Sequence, residues 1–121
     1  MLSVRLFLIA QILTLTGFGL AYFVRPQETA NLSGMLLMAP AALTDVRAYY
    51  GGLQLGLAAW LGLALLRGDL LRPALMLLVL LYSALFLARL GGLWLDGGAQ
   101  QTFNLYAMLF EGGSAALAFW L

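Results

Sequence analysis

Cysteine, histidine and lysine are all absent from this chain of 121 residues. Without cysteine and histidine, the sequence lacks the usual ligands of zinc, iron–sulfur clusters and haem, the commonest catalytic base and the thiol nucleophile. We therefore predict no metal site and no cofactor. The lack of cysteine also leaves the sequence without a disulfide signal that would indicate its compartment.

Charge is scarce as well. Charged residues make up 9% of the chain and hydrophobic residues 64%, whereas soluble domains have about 25% and about 45–50%. The net charge is +1, and the basic residues are scattered, so no surface for nucleic acid is predicted. The composition predicts one integral membrane domain over residues 1–121, with the lipid bilayer as a partner.

The apolar runs predict an all-α fold, a four-helix transmembrane bundle. Its helices are expected over about residues 5–24, 46–66, 74–94 and 102–121. The first run is too long for the core of a signal peptide, so we interpret it as a helix. Residues 25–44 form a long first extracytoplasmic loop, and its apolar stretch around Met35 is too short to span a membrane.

The loop arginines predict the orientation of the bundle, because positive charge accumulates on the cytoplasmic side. Arg5, Arg67 and Arg72 lie on one predicted side, and Arg25 and Arg47 lie on the other. The excess places both termini in the cytoplasm, and we expect a multi-pass protein of the bacterial inner (plasma) membrane.

Glu111 lies in the middle of the last predicted helix. A carboxylate at that depth usually faces a protein interior and pairs with an opposite charge. At about 1.5 Å per residue, Arg89 and Glu111 lie at depths that differ by about 5–6 Å. Because a short loop should make the last two helices antiparallel, we predict that Arg89 pairs with Glu111.

Arg47, Tyr50 and Gln54 share one face of the second predicted helix, at the same outer side. We predict a polar pocket there, lined by Arg47, Tyr50, Gln54, Arg89, Asp96 and Glu111. A structural interpretation stays open beside it, in which Arg89 and Glu111 form an ion pair that fixes helix register.

Other residues have predicted roles in the helices themselves. Asp45 is suited to cap the start of the second helix. Gly52 and Gly56, four residues apart, and Gly112 on the last helix predict close helix packing. The sequence contains no nucleophile–base arrangement, phosphate-binding loop or metal-ligand spacing, and the prediction leans away from an enzyme.

The segment 45–54 and the positions Arg89-Leu90-Gly91, Asp96-Gly97 and Glu111 resemble a bacterial family of small four-helix membrane proteins, described as a domain of unknown function. The resemblance covers nearly the whole chain, and its most specific part is Asp45-Val46-Arg47-Ala48-Tyr49-Tyr50-Gly51-Gly52. It implies an integral protein of the bacterial inner membrane with no established activity.

Three functions remain open at this point. The pocket is suited to a lipid or another small amphipathic or anionic ligand, with Arg47 and Arg89 as anion contacts and Glu111 as counter-ion. A second hypothesis is an accessory subunit that binds a membrane protein partner or a second copy of the chain. A third is a proton-coupled carrier using Glu111, although small multidrug transporters carry their carboxylate in the first helix, where this chain has Gln11.

Overall fold

The fold is all helical in the computed structural model, which describes residues 2–97 and 101–121. The chain divides into an N-terminal unit, Met1–Leu70, and a C-terminal unit, Leu71–Leu121, each with its own packing. The N-terminal unit contains α1 (Leu2–Val24), α2 (Pro26–Asn31), α3 (Pro40–Val46), a π-helical turn (Arg47–Gly52), α4 (Leu53–Leu66) and a 3₁₀ turn (Gly68–Leu70). The C-terminal unit contains α5 (Leu71–Asp96) and α6 (Thr102–Trp120).

Three continuous helical stretches are long and apolar enough to cross a membrane. They are Leu2–Val24, Pro40–Leu66 and Gly68–Asp96, of 23, 27 and 29 residues. The last two begin about six residues before the predicted starts; Pro40 is the first residue of α3, and Pro73 lies in the first turn of α5. Proline suits a first turn, where its missing N–H would have had no partner.

Asp45 is not the cap of its helix. It lies inside α3 and is exposed, and the residue that precedes α3 is Ala39, which makes no side-chain capping bond. Pro40 starts the helix more than a turn before Asp45. The prediction of a capping role for Asp45 is therefore wrong.

The first loop is shorter than predicted. Residues 26–31 form α2, and the helix that contains α3 already begins at Pro40. The segment that is not helical is residues 32–39, which includes the apolar stretch around Met35.

α1 and α4 pack antiparallel, with an arginine at each end of the pair. Arg5 Nη1 donates to the carbonyl oxygen of Leu65 at 2.7 Å. At the other end, Arg47 Nε donates to the carbonyl oxygen of Phe23 at 2.9 Å. Both acceptors lie in last helical turns, where carbonyl groups lack partners within their own helix. Each arginine therefore caps the helix that packs beside its own.

The backbones of α1 and of the π-helical turn come close together at Gly19 and Gly51. A Cβ atom on Gly51 would lie 3.1 Å from the Gly19 carbonyl oxygen and 3.2 Å from Phe23 N. Close packing was predicted instead at Gly52 and Gly56, which are exposed and approach no other helix of this unit. A π-helical turn contains more residues than an α-helical turn, so it changes which residue faces the neighbouring helix.

Candidate functional site

The antiparallel hairpin of α5 and α6 positions Glu111. Gly97, which follows α5, has a φ angle of +82°, a backbone conformation that glycine adopts without strain. Further along the hairpin, a Cβ atom on Gly112 would lie 3.1 Å from the ring of Phe86. Gly112 thus makes a close helix contact of the kind predicted for it, and this contact brings α6 near α5 beside Glu111.

Arg89 binds two side chains of α6. Its Nε donates to Glu111 Oε1 at 2.8 Å, and its Nη1 donates to Asn104 Oδ1 at 2.6 Å. Asn104 and Glu111 are seven residues apart and share a face of the helix. The guanidinium, which presents its N–H groups in a fixed planar fork, therefore bridges two residues that lie two turns apart on that face.

The two ends of the ion pair differ in exposure. The Glu111 side chain is 7% exposed, whereas the Arg89 side chain is 29% exposed. The carboxylate is thus enclosed in the hairpin, and the guanidinium lies at its edge. An enclosed carboxylate requires a charged or hydrogen-bonding partner, and Arg89 supplies it.

A chain of hydrogen bonds continues from the ion pair to the connection between the helices. Asn104 Nδ2 donates to Gln101 Oε1 at 2.8 Å, and Gln101 Nε2 donates to the Gly97 carbonyl oxygen. Neither Asn104 nor Gln101 was predicted as a site residue. The spacing of seven between Asn104 and Glu111 was the available signal, since the same spacing had linked Arg47 with Gln54.

Buried polar groups near the ion pair are satisfied. Tyr82 is buried on α5 and meets Phe110 edge-on, with ring centroids 5.7 Å apart. Ser114 is buried one turn beyond Glu111. In the part of the chain that the structure describes, no buried side-chain nitrogen or oxygen lacks a hydrogen-bond partner. The interior of the hairpin is therefore fully paired.

Asp96 does not join this ion pair. It is exposed at the last residue of α5, about 10 Å along the helix from Arg89. Arg89 donates instead to Glu111 and Asn104. The structure thus brings together Arg89 and Glu111 but not Asp96.

Arg47, Tyr50 and Gln54 lie in the N-terminal unit, and each contacts another residue of that unit. Arg47 caps α1, as described above. Gln54 Nε2 donates to the Tyr50 carbonyl oxygen at 2.6 Å, and the Tyr50 ring lies 5.1 Å from that of Tyr22. Arg47 and Tyr50 belong to the π-helical turn, and such turns often occur at functional sites.

No metal centre is formed by the residues that the structure describes. Within residues 2–97 and 101–121, no three acidic side chains come together in a group that could hold a metal ion. The polar chemistry of the described site is therefore that of an arginine with a carboxylate and two amides.

The helices define the class of the chain. An all-helical fold with three helices long and apolar enough to cross a bilayer indicates a helical membrane protein. The chain belongs to the family described as a domain of unknown function, DUF4345, whose model matches residues 3–121. This match confirms the resemblance predicted from the sequence. Comparison with curated proteins and with solved structures finds no match.

Proposed function

We propose that this chain is a four-helix integral protein of the bacterial inner membrane that binds the anionic headgroup of a small amphipathic ligand at Arg89. In this proposal α6 is the fourth span. It has 19 residues, a length of about 28 Å, against a hydrocarbon core of about 30 Å. The ion pair with Arg89 makes the presence of Glu111 in such a span acceptable.

The observation that carries the proposal is the position of Arg89. Its Nε donates to Glu111 and its Nη1 donates to Asn104, and neither of these two bonds uses Nη2. Because 29% of the side chain is exposed, we infer that a ligand approaches the guanidinium from the edge of the hairpin. Guanidinium groups bind phosphate and carboxylate strongly, and they do so best where water is scarce.

Glu111 has a supporting role in this function. It balances the charge of Arg89 when no ligand is bound and orients the guanidinium through Nε. The binding step needs no catalysis. Arg47 offers a second anion contact in the N-terminal unit. Its bond to the Phe23 carbonyl oxygen uses Nε, and the side chain is exposed.

Arginine placement supports the proposed orientation, with both termini cytoplasmic. Arg5 binds Leu65, two residues before Arg67, so these two arginines lie at the same end of the N-terminal unit. Arg47 binds Phe23, two residues before Arg25, at the other end. The two groups of arginines are those that the sequence analysis assigned to opposite sides of the membrane.

The alternatives make different demands on Glu111. A proton-coupled carrier would have to release this carboxylate from Arg89 in every cycle, although it is enclosed and paired at 2.8 Å. An accessory subunit would need no ligand, and the hairpin would then serve only to hold α5 and α6 in register.

Binding of dodecyl phosphate tests the proposal, with the uncharged detergent dodecyl maltoside as the medium. Purified protein should bind dodecyl phosphate in isothermal titration, and Arg89→Gln should lose this binding. Arg72→Gln is the matched control, because Arg72 is an exposed arginine of the same helix. Equal binding by the two variants would overturn the proposal.

Two further measurements separate the alternatives. A pH-driven flux of a cationic dye into vesicles that disappears in Glu111→Gln would indicate the carrier instead. A second protein that co-purifies in fixed ratio, together with an absence of dodecyl phosphate binding, would indicate the accessory subunit.

A further inference from the structure

A groove runs along the last two turns of α1 in the N-terminal unit. It is a shallow, mostly open groove with a volume of about 480 Å³. Its apolar wall includes Gly17, Leu20, Ala21 and Val24 of α1, and Arg25, Glu28 and Thr29 line it as well. The groove therefore has an apolar side and a polar rim.

The groove covers about two thirds of the hydrocarbon depth of one half of a bilayer. Gly17 and Val24 are separated by about 10 Å along the helix, and half of a hydrocarbon core is about 15 Å thick. α1 is long and apolar enough to cross a membrane, and Arg25 follows its last residue. The polar rim of the groove thus lies at the end of an apolar span, where the headgroups of one leaflet are expected.

The polar rim of the groove carries one charge of each sign. Arg25 Nη1 lies 3.2 Å from Glu28 Oε2, and both residues line the groove. Each side chain is 70% exposed. An ion pair this exposed is weak, because water and salt screen it. Each side chain can therefore leave its partner and bind a charged group of a ligand instead.

We propose that this groove binds a zwitterionic phospholipid with a primary ammonium group, of the phosphatidylethanolamine type. Arg25 binds the phosphate, Glu28 accepts a hydrogen bond from the ammonium, and one acyl chain lies along the apolar wall. The rim has no net charge, which suits a headgroup with no net charge better than an anionic one. A choline headgroup carries no N–H to donate to Glu28, so it binds less well.

This site is independent of the ligand proposed at Arg89. It lies wholly in the N-terminal unit and uses neither Arg89 nor Glu111. A protein that binds no dodecyl phosphate at Arg89 can still retain phosphatidylethanolamine here, and the reverse also holds.

Native mass spectrometry of the full chain, released from nanodiscs, tests the site. The nanodiscs contain equal amounts of phosphatidylethanolamine, phosphatidylcholine and phosphatidylglycerol. The expected result is one retained phosphatidylethanolamine. Glu28→Gln should reduce its excess over phosphatidylcholine by about 1.5- to 5-fold, the effect of losing one exposed charged contact.

Asp69→Asn is the control for the charge change. The pair of Arg67 and Asp69 has the same separation, 3.2 Å, and similar exposure, but neither residue lines the groove. We expect this variant to retain lipid as the wild type does. Equal retention by Glu28→Gln and Asp69→Asn would overturn the proposal, as would a preference for phosphatidylglycerol or for no lipid.

A second pair of variants tests the apolar wall. A Cβ atom on Gly17 would have no neighbour within 4 Å, so Gly17→Leu fills the groove without a clash at its first carbon. Gly56→Leu is its control, because Gly56 is equally open but does not line the groove. Gly17→Leu should lose the retained lipid and Gly56→Leu should keep it, and the opposite result would contradict an acyl chain in the groove.

Discussion

Arg89 Nε lies 2.8 Å from Glu111 Oε1, and the arginine side chain is about four times as exposed as the carboxylate that it binds, 29% against 7%. Glu111 therefore depends on Arg89 more than Arg89 depends on Glu111. Glu111 needs Arg89, because burial removes the water that would otherwise solvate it. Arg89, at the edge of the hairpin, can find other partners for its N–H groups.

This inequality predicts different effects for the two single substitutions. Arg89→Ala leaves an uncompensated buried carboxylate and should lower the free energy of unfolding by about 3–5 kcal/mol. Glu111→Gln keeps an acceptor oxygen for Nε and should cost less. Chemical unfolding in detergent, followed by circular dichroism, measures both. A larger loss in Glu111→Gln would contradict this account of the ion pair.

Asn104 should stabilise the hairpin through the same arginine. Its Oδ1 accepts from Arg89 Nη1 at 2.6 Å, so Asn104→Leu should cost about 1–3 kcal/mol in the same unfolding measurement. Asn104→Asp keeps the acceptor and is the matched variant, expected to be closer to the wild type.

The double variant Arg89→Ala, Asn104→Leu extends this test. Both residues belong to one hydrogen-bond network, so their effects should not add. The double variant should be less destabilised than the sum of the two single variants. Additive effects would show that the observed hydrogen bond contributes nothing to stability.

The pairing of Arg89 with Glu111 could be predicted from the sequence because a short connection joins the two helices that carry them. Counting residues from that connection gives the depth of each side chain, and only one arginine had the required depth. Asn104 follows from the same count, since it lies seven residues before Glu111 on the same face. It was overlooked because only charged residues were matched across the hairpin.

The helix contacts of the N-terminal unit could not be predicted in this way. Gly51, and not Gly52, meets Gly19 because a π-helical turn lies at Arg47–Gly52. The extra residue per turn depends on packing and has no compositional signature. Likewise, the second helical stretch begins at Pro40, about six residues before its predicted start, and the capping role assigned to Asp45 followed from that later predicted start.

Arg47, which caps the C-terminal end of α1, should differ from Asp45 in its contribution to stability. Arg47→Ala removes the bond to the Phe23 carbonyl oxygen and should cost about 1 kcal/mol. Asp45→Ala should stay within about 0.5 kcal/mol of the wild type, because Asp45 is an exposed residue inside α3. Thermal unfolding of the two variants in the same detergent compares them. A loss of about 1 kcal/mol or more in Asp45→Ala would restore its capping role.

Gly51 and Gly52 offer the sharpest test of how α1 meets the second helical stretch. In Gly51→Ala, the new Cβ would lie 3.1 Å from the Gly19 carbonyl oxygen and 3.2 Å from Phe23 N. Both are backbone atoms that cannot rotate away, so α1 must shift. We expect a loss of about 1–3 kcal/mol in the free energy of unfolding.

Gly52→Ala should behave in the opposite way. Its Cβ would meet only the Arg47 carbonyl oxygen, at 3.7 Å, which is ordinary van der Waals contact. Alanine is favoured over glycine in a helix by up to about 1 kcal/mol, so this variant should be neutral or more stable. Unfolding of both variants in one detergent, with Gly56→Ala as a third, measures the difference. If Gly51 approaches Gly19 closely, alanine should lower stability at position 51 and leave it unchanged or raise it at position 52. Equal stability of Gly51→Ala and Gly52→Ala would contradict that close approach.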